Sequence, residues 1–268
     1  MSKPDKPPPR NNDLAGKAWA DVADLLDLQL SPLGLRAIAA LSPRPGDAVL
    51  DVGCGAGQSV LQLADRVGPQ GRVTGVDIAP APLAVARRRA KGRSQVDFIE
   101  GDAQKLALRE RSIDCVFSRF GVMALPDRVA AFSNFRRMMK PSARLAFVCW
   151  RSLDENELDL LPLRAAGLEA RLDPTPFSFA DPAVIRTTLR SAGLRQITIR
   201  AHDERVSSGN LEAMMAVLLT VGPLGKILRE NPGLRAAAEP PVRAALAQRQ
   251  IQGAVALNAA TWVVCARP

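Results

Sequence analysis

This 268-residue chain contains no tyrosine, one histidine and four cysteines, and aromatic residues make up 4% of it. Each shortage excludes something. Cys54, Cys115, Cys149 and Cys265 lie far apart with no CxxC, and a lone histidine cannot complete a zinc pattern, so no metal is expected. Three of the four cysteines fall in apolar strand-like runs, which reads as reduced, buried thiols in a cytoplasmic protein. No apolar run approaches the ~18 residues of a membrane span. The opening "MSKPDKPPPRNND" lacks the apolar stretch of a secretory signal, and its prolines and charges predict a disordered tail over residues 1–12. Lysine and arginine outnumber the acids 36 to 27, a net charge of +9 that permits a nucleic-acid surface. Against that, the basic residues sit in short clusters ("ARRRAKGR", "FRRMMK") and aromatics for base stacking are few. Solvated helix faces explain the excess better.

What is present alternates in type. Short β-branched and apolar runs bounded by glycine, proline or charge predict strands at 48–53, 72–78, 96–102, 113–120, 143–150, 196–206 and 256–267. Helix-like segments lie between the first five, at 58–67, 80–91 and 127–139, with a short turn after 102. A further helix starts on an Asp181 cap with Pro182 in its first turn and stops at Gly193. Strands that are apolar throughout, interleaved with helices, predict an α/β fold: a doubly wound, mostly parallel sheet covered on both faces. One domain is expected over residues 13–268. Three segments exceed that core: a helical preface at 13–45 and insertions at 151–180 and 207–255. In the preface, "LAGKAWADVADLLDLQL" precedes a second helical stretch, "PLGLRAIAAL"; the last insertion holds "NLEAMMAVLLTVGPLGKILREN" and then "VRAALAQRQ". Additions of that length are more often lids than plain loops.

The first strand runs into "LDVGCGAGQ", Leu50 to Gln58. Glycines at 53, 55 and 57 let backbone approach a ligand closely, and the helix beginning near Gln58 offers free N–H groups to an anion. A dinucleotide fingerprint wants its third glycine where Gln58 stands, which argues against pyrophosphate and for a smaller carboxylate. Asp77 ends the second strand, 20 residues after Gly57, where a carboxylate can accept both hydroxyls of a ribose. Asp102 ends the third, where it can accept from an adenine amine, with the Ala103 N–H near a ring nitrogen. Each acid alone is more often a solvated strand end or a helix cap. With Asp51 of the glycine turn, three in register at the C-terminal edge of the first strands mark where such sheets bind ligands.

With "VLDVGCGAG", "VTGVDIAP", "FIEGDAQKL", "IDCVFSRFGVMALPD" and "RMMKPSARLAFVCW", the chain resembles the class I S-adenosylmethionine-dependent methyltransferases over about residues 46–150. It is most similar to the small-molecule branch that includes ubiquinone- and menaquinone-biosynthesis enzymes. The resemblance implies a Rossmann-like seven-stranded sheet whose last strand is antiparallel and lies beside the fifth. It implies S-adenosyl-L-methionine as cofactor, with contacts at Asp51, Gly53, Gly55, Gly57, Asp77, Ile78, Asp102, Ala103 and Ser118. One departure, "KPSARL" in place of a Gly-Gly turn, is expected to affect a loop and not the site.

The end of the fourth strand faces the transferable methyl in this fold. Base-methylating relatives place an Asn/Asp-Pro-Pro-aromatic motif there; this chain has Ser118-Arg119-Phe120-Gly121. Arg119 would repel a divalent metal, so metal-free chemistry on a small, apolar or aromatic molecule is expected, at an oxygen or carbon acceptor. Phe120, Met123 and Trp150 are candidates to line a dry pocket, with core packing the alternative; Arg119 is a candidate for an anionic substrate group, with a surface ion pair the alternative. His202, flanked by Asp203 and Glu204, is the candidate base should the nucleophile arrive protonated, although the sixth strand is usually remote from the methyl. The stripe Leu211, Met214, Met215, Leu218 and Leu219 suits a greasy lid or an amphipathic core helix. Two rivals stay open: methylation of nucleic acid or protein, and a module that binds the cofactor without turnover. The oligomeric state is not legible.

Overall fold

In the computed structural model, which describes residues 11–268, the strand β1 (Ala48–Val52) is buried along four of its five residues. Such burial fits the continuous apolar run "AVLDV", because a parallel strand between two helical layers has no wet face. It pairs in parallel with β2 (Arg72–Asp77) on one side and β4 (Ile113–Arg119) on the other. β3 (Val96–Glu100) follows β2, and β5 (Met139–Trp150) follows β4, all parallel. The remaining strands are β6 (Arg195–Gly209), the two-residue β7 (Gln250–Ile251) and β8 (Ala254–Arg267). The order is β3-β2-β1-β4-β5-β8-β6, with β8 antiparallel between β5 and β6 and β7 paired to β8. The expected inserted last strand is therefore present, beside the fifth. The chain reverses its winding direction between β1 and β4, and the crevice at their C-terminal ends is where ligands bind in such sheets.

The helices expected between the first strands form as α3 (Gln58–Val67), α4 (Pro80–Arg89) and α5 (Arg128–Met138), the last capped by the Asp127 carboxylate accepting from the Ala130 N–H at 2.9 Å. α3 buries Ser59, Val60, Leu63, Ala64 and Val67, one stripe of a 3.6-residue period, against the sheet. α7 (Pro182–Ser191) starts as its sequence predicts, with Asp181 accepting from the Ala183 N–H at 2.7 Å and Pro182 in the first turn.

The additions differ from expectation at their breaks. The preface divides at Val22 into α1 (Asn11–Asp21) and α2 (Ala23–Leu41), and α2 runs through Pro32. The carbonyl that loses its partner there belongs to Leu28, which is exposed, so water can take the bond. Residues 1–10 of the expected tail lie outside the described residues. The 151–180 segment contains α6 (Glu157–Ala165). The apolar run at 210–231 is not one helix but two, α8 (Leu211–Leu218) and α9 (Gly222–Glu230), bent by 58°. Gly222 at φ +70° and Pro223 in the first turn of α9 start a new helix there. α10 (Arg235–Ala247) begins earlier than the sequence suggests and passes through Pro240 and Pro241, which cannot donate to the carbonyls four residues back, those of the exposed Ala236 and Ala237. Among the described residues no single helix is long and apolar enough to cross a membrane.

Candidate active site

The glycine turn after β1 is built by backbone that side chains would obstruct. Gly53 (φ +71°) donates to the Val76 carbonyl at 2.8 Å, and a Cβ on it would lie 2.7 Å from the Gly121 Cα. Gly57 (φ +83°) abuts Ala86 of α4, which a Cβ would meet at 2.8 Å. Gly55 (φ +53°) differs: nothing lies within 4 Å of where its Cβ would stand, so its outer side is open. Ser118 at the end of β4 brackets the turn, its hydroxyl donating to the Val52 carbonyl at 2.7 Å and accepting from the Gly121 N–H at 3.1 Å.

Two carboxylates organise this edge. Asp51 is fully buried; one oxygen accepts from the Ser59 hydroxyl at 2.5 Å and the other has no partner. Burial pushes its carboxyl up to about 7, against the lowering effects of Ser59 and Arg119. Asp77 accepts from the Gly55 N–H at 2.8 Å through one oxygen and from the Ala79 N–H at 2.9 Å through the other, and burial again raises it. It thus holds the glycine turn to the start of α4. The neighbouring Ile78 is 57% exposed, an apolar side chain with no core contact to explain it. The Gly101 N–H donates to the Asp77 carbonyl, bringing the end of β3 alongside. There Asp102 caps a short turn over Ala103–Lys105 through the Gln104 N–H at 2.9 Å, a bond that holds its carboxyl below its ordinary value. Ala103 is buried in that turn.

The opposite side of the crevice is apolar. Phe120, itself at φ +60°, stacks on Trp150 with centroids 4.0 Å apart and planes 15° from parallel. The Trp150 N–H points to the Met123 sulfur at 3.4 Å. These three line a cavity of about 240 Å³ that the additions partly cover: Trp19 of α1 and Leu30 of α2, Leu158 of α6, and Leu218 and Pro223 of the bent α8–α9 pair. Thus all three long additions meet at one place.

Two predicted residues do not line this cavity. Arg119 lies under α2, its guanidinium 3.2 Å from Asp27 and hydrogen-bonded to Gln58, and its stem is packed against Gly34. Asp27 also binds Arg89 at 2.8 Å, and Arg89 donates to the Ala56 carbonyl in the glycine turn at 2.9 Å. Gln58, the residue in place of the third fingerprint glycine, therefore ties that turn to the preface. His202 sits on β6, with Nε2 3.5 Å from Glu204. Its register partner Thr261 faces Trp150 across β8, so His202 is two strand spacings, about 10 Å, from Trp150.

Sequence reasoning missed Asp27 and Asp159. Asp159 lines the cavity, is 7% exposed, and is pushed up to about 7 by burial alone. The available signal was the same for both: an acid inside a leucine run, "LLDLQL" and "LDLLPL". Among the described residues no group of three or more His, Cys, Asp or Glu is arranged to hold a metal.

The methyltransferase domain family matches residues 49–142. Nocamycin O-methyltransferase of Saccharothrix syringae is 30% identical over 203 residues, covering 69% of this chain and 72% of that protein. Aklanonic acid methyltransferase DauC of Streptomyces sp. (strain C5) is 35% identical over 119 residues, 44% of this chain; the chain spans about half, 54%, of that relative's length. Among solved structures, a SAM-dependent methyltransferase from Aquifex aeolicus superposes with a TM-score of 0.52 at 22% identity, over 68% of this chain and 90% of that one.

Proposed function

This chain belongs to the S-adenosylmethionine-dependent methyltransferases, and from that premise we propose that it methylates a small, apolar or aromatic metabolite at an oxygen or carbon, without a metal. The observation that carries the substrate class is the cavity. Its walls at the ends of β4 and β5 are a stacked Phe–Trp pair and a methionine, and its roof is mostly apolar side chains from three separate additions.

The crevice residues fit the cofactor. The orphaned oxygen of Asp51, the open side of Gly55 and the bare Ile78 are three features that a ligand at this edge would complete. Gly53, Gly55 and Gly57 give close backbone approach, with the N-terminus of α3 beyond them for a carboxylate. Asp77 keeps lone pairs for ribose hydroxyls, while Asp102, the Ala103 N–H and Ile78 take the adenine. Ser118 acts indirectly, by holding the turn in shape. When bound, S-adenosylmethionine supplies an electrophilic methyl on a positively charged sulfur. The chain's own work is then alignment and exclusion of water: Phe120, Met123 and Trp150 pack an acceptor in a near-attack position and keep the site dry. Arg119 has its charge committed to Asp27, so we assign it a positioning role rather than an anion site.

A panel of phenols, enols and aliphatic alcohols, assayed for S-adenosylhomocysteine release with and without EDTA, tests the reading. Turnover of an apolar acceptor that survives chelation is expected. Cofactor binding without turnover across the panel would instead favour a ligand-binding module, and salt-sensitive binding of RNA or DNA would favour a macromolecular substrate. The free cysteines, three of them buried, suit a reducing compartment, and we place the protein in the cytoplasm; cell fractionation tests that.

A further inference from the structure

Asp159 is the one ionisable group on the cavity wall that is both buried and uncommitted among the described residues. It stands on α6 beside Leu158, with Gly222 of α9 so close that a Cβ there would be 3.3 Å from its carboxylate. No hydrogen bond to its side chain is formed from any described residue, and burial is the only influence on its ionisation. The other acid on the wall, Asp173, is engaged by Lys226 and by Thr175, whose hydroxyl is 2.7 Å away.

Asp159 aside, the charged groups on α6, α9 and α10 are occupied, while Asp154 before α6 and Arg171 after it are exposed and unpaired among the described residues. On α6 itself, Glu157 binds Arg249 and Arg164 binds Glu169. On α9, Lys226 pairs with Asp173 and Glu230, and Arg229 donates to the Thr220 carbonyl. On α10, Arg243 pairs with Glu239 and with Glu212 of α8, and Glu155 before α6 pairs with Arg151. A carboxylate in that setting faces only the cavity and has no protein partner among the described residues. It is a strong acceptor for the first donor that enters.

We propose that Asp159 is the general base: it accepts a hydrogen bond from the acceptor's hydroxyl and takes its proton as the methyl is transferred. The inference rests on the methyltransferase reading above. In the step, the acceptor's O–H bond breaks and the proton passes to an Asp159 oxygen. The freed electron pair forms the new O–C bond, and the pair of the broken C–S bond stays on sulfur, leaving a neutral thioether. The negative carboxylate and the positive sulfonium are both neutralised, so no further reactant is needed. A group that titrates near 7 suits this task, being substantially ionised at neutral pH yet basic enough to take the proton. His202, about two strand spacings from Trp150 and off the cavity wall, is not required.

The test compares 2-naphthol with its O-methyl ether, 2-methoxynaphthalene, as ligands of the full chain by calorimetry. Neither titrates between about pH 5 and about pH 8, so any pH dependence belongs to the protein. At about pH 8 the wild type should bind the naphthol about tenfold or more tightly than the ether, the size of a hydrogen bond to a charged group. That preference should shrink as pH falls below about 7 and vanish in Asp159→Asn. For a methylated hydroxyl acceptor, Asp159→Asn should lower kcat by about a hundredfold or more and remove the rising limb of the pH profile. Equal wild-type affinity for the two ligands at every pH would overturn the base. So would a preference that Asp159→Asn leaves intact. Failure of both ligands to bind would overturn the apolar-acceptor reading, and the base with it. The wild-type comparison needs no variant, so a misfolded Asn protein does not blunt it.

Discussion

Replacing Asp159 by asparagine should shift stability in the variant's favour by an amount that grows with pH. The sign follows from the direction of the shift. Burial raises this carboxyl from 3.8 to about 7 in the folded chain, so ionisation opposes folding. The penalty is absent below the unfolded value of 3.8, grows as pH rises, and levels off above about 7. A shift of that size corresponds to about 4 kcal/mol at the plateau, of which about 2–3 kcal/mol accrues between about pH 5 and about pH 8. Asparagine does not titrate, and its buried amide adds an offset that is the same at each pH. The pH-dependent part is therefore the clean quantity. Urea unfolding of both proteins at several pH values would measure it, with Asp51, raised to about 7 in both, cancelling in the difference. Two stability curves that stay parallel from about pH 5 to about pH 8 would refute the reasoning: water would then be reaching Asp159, which would titrate like an ordinary carboxylate. A confirmed gain would mark a position where stability is given up for a charge in the cavity.

The remaining predictions probe the turn and the roof. Gly55→Ala should cost only about 1–2 kcal/mol in stability, for its positive φ, yet weaken S-adenosylhomocysteine binding more than tenfold, because its methyl enters the open ligand side. Gly57→Ala should cost about 2–4 kcal/mol, since overlap with Ala86 adds to the same backbone strain; equal losses in urea for the two variants would contradict this. Asp27→Ala should destabilise by about 3 kcal/mol in the same assay, as it strips Arg119 and Arg89 of a buried partner; a loss below about 0.5 kcal/mol would mean the pairs contribute nothing net. In hydrogen exchange, α2 should be protected with or without ligand, being clamped through Asp27 and buried at Leu33, Ala37 and Ile38. Protection in α1 and the α8–α9 pair should rise on binding cofactor and acceptor, and slow exchange there without ligand would make them fixed packing elements.

Much of this architecture was legible in short windows of sequence. Continuous apolar strand runs, period-3.6 helix patterns, an Asp-Pro helix start and the spaced glycines act through neighbours a few residues away, so strand and helix positions, the parallel core and the ligand-binding edge could be read directly. Breaks were harder. Pro32, Pro240 and Pro241 look like stops, but a helix tolerates them where the carbonyls they abandon face water, and exposure is a tertiary property. The acceptor side divides in the same way. Phe120, Met123 and Trp150 could be nominated from their strand ends, but the cavity exists only because three additions fold back over them.

The charged residues depended most on the fold. In the sequence Arg119 reads as an anion site and Gln58 as an absent glycine; in the fold Asp27, 92 residues away on α2, pairs with Arg119, and the Gln58 side chain joins the two. Asp159 was one acid among leucines. By itself the sequence determined the family's sheet and the edge where a ligand binds, because those follow from local periodicity and from glycines whose conformation no other residue adopts cheaply. Only the tertiary structure decided which charges are spent on holding the protein together and which one is left for chemistry. Ionisation and pairing depend on burial and on partners brought in from distant parts of the chain, and neither quantity is written in the neighbouring residues.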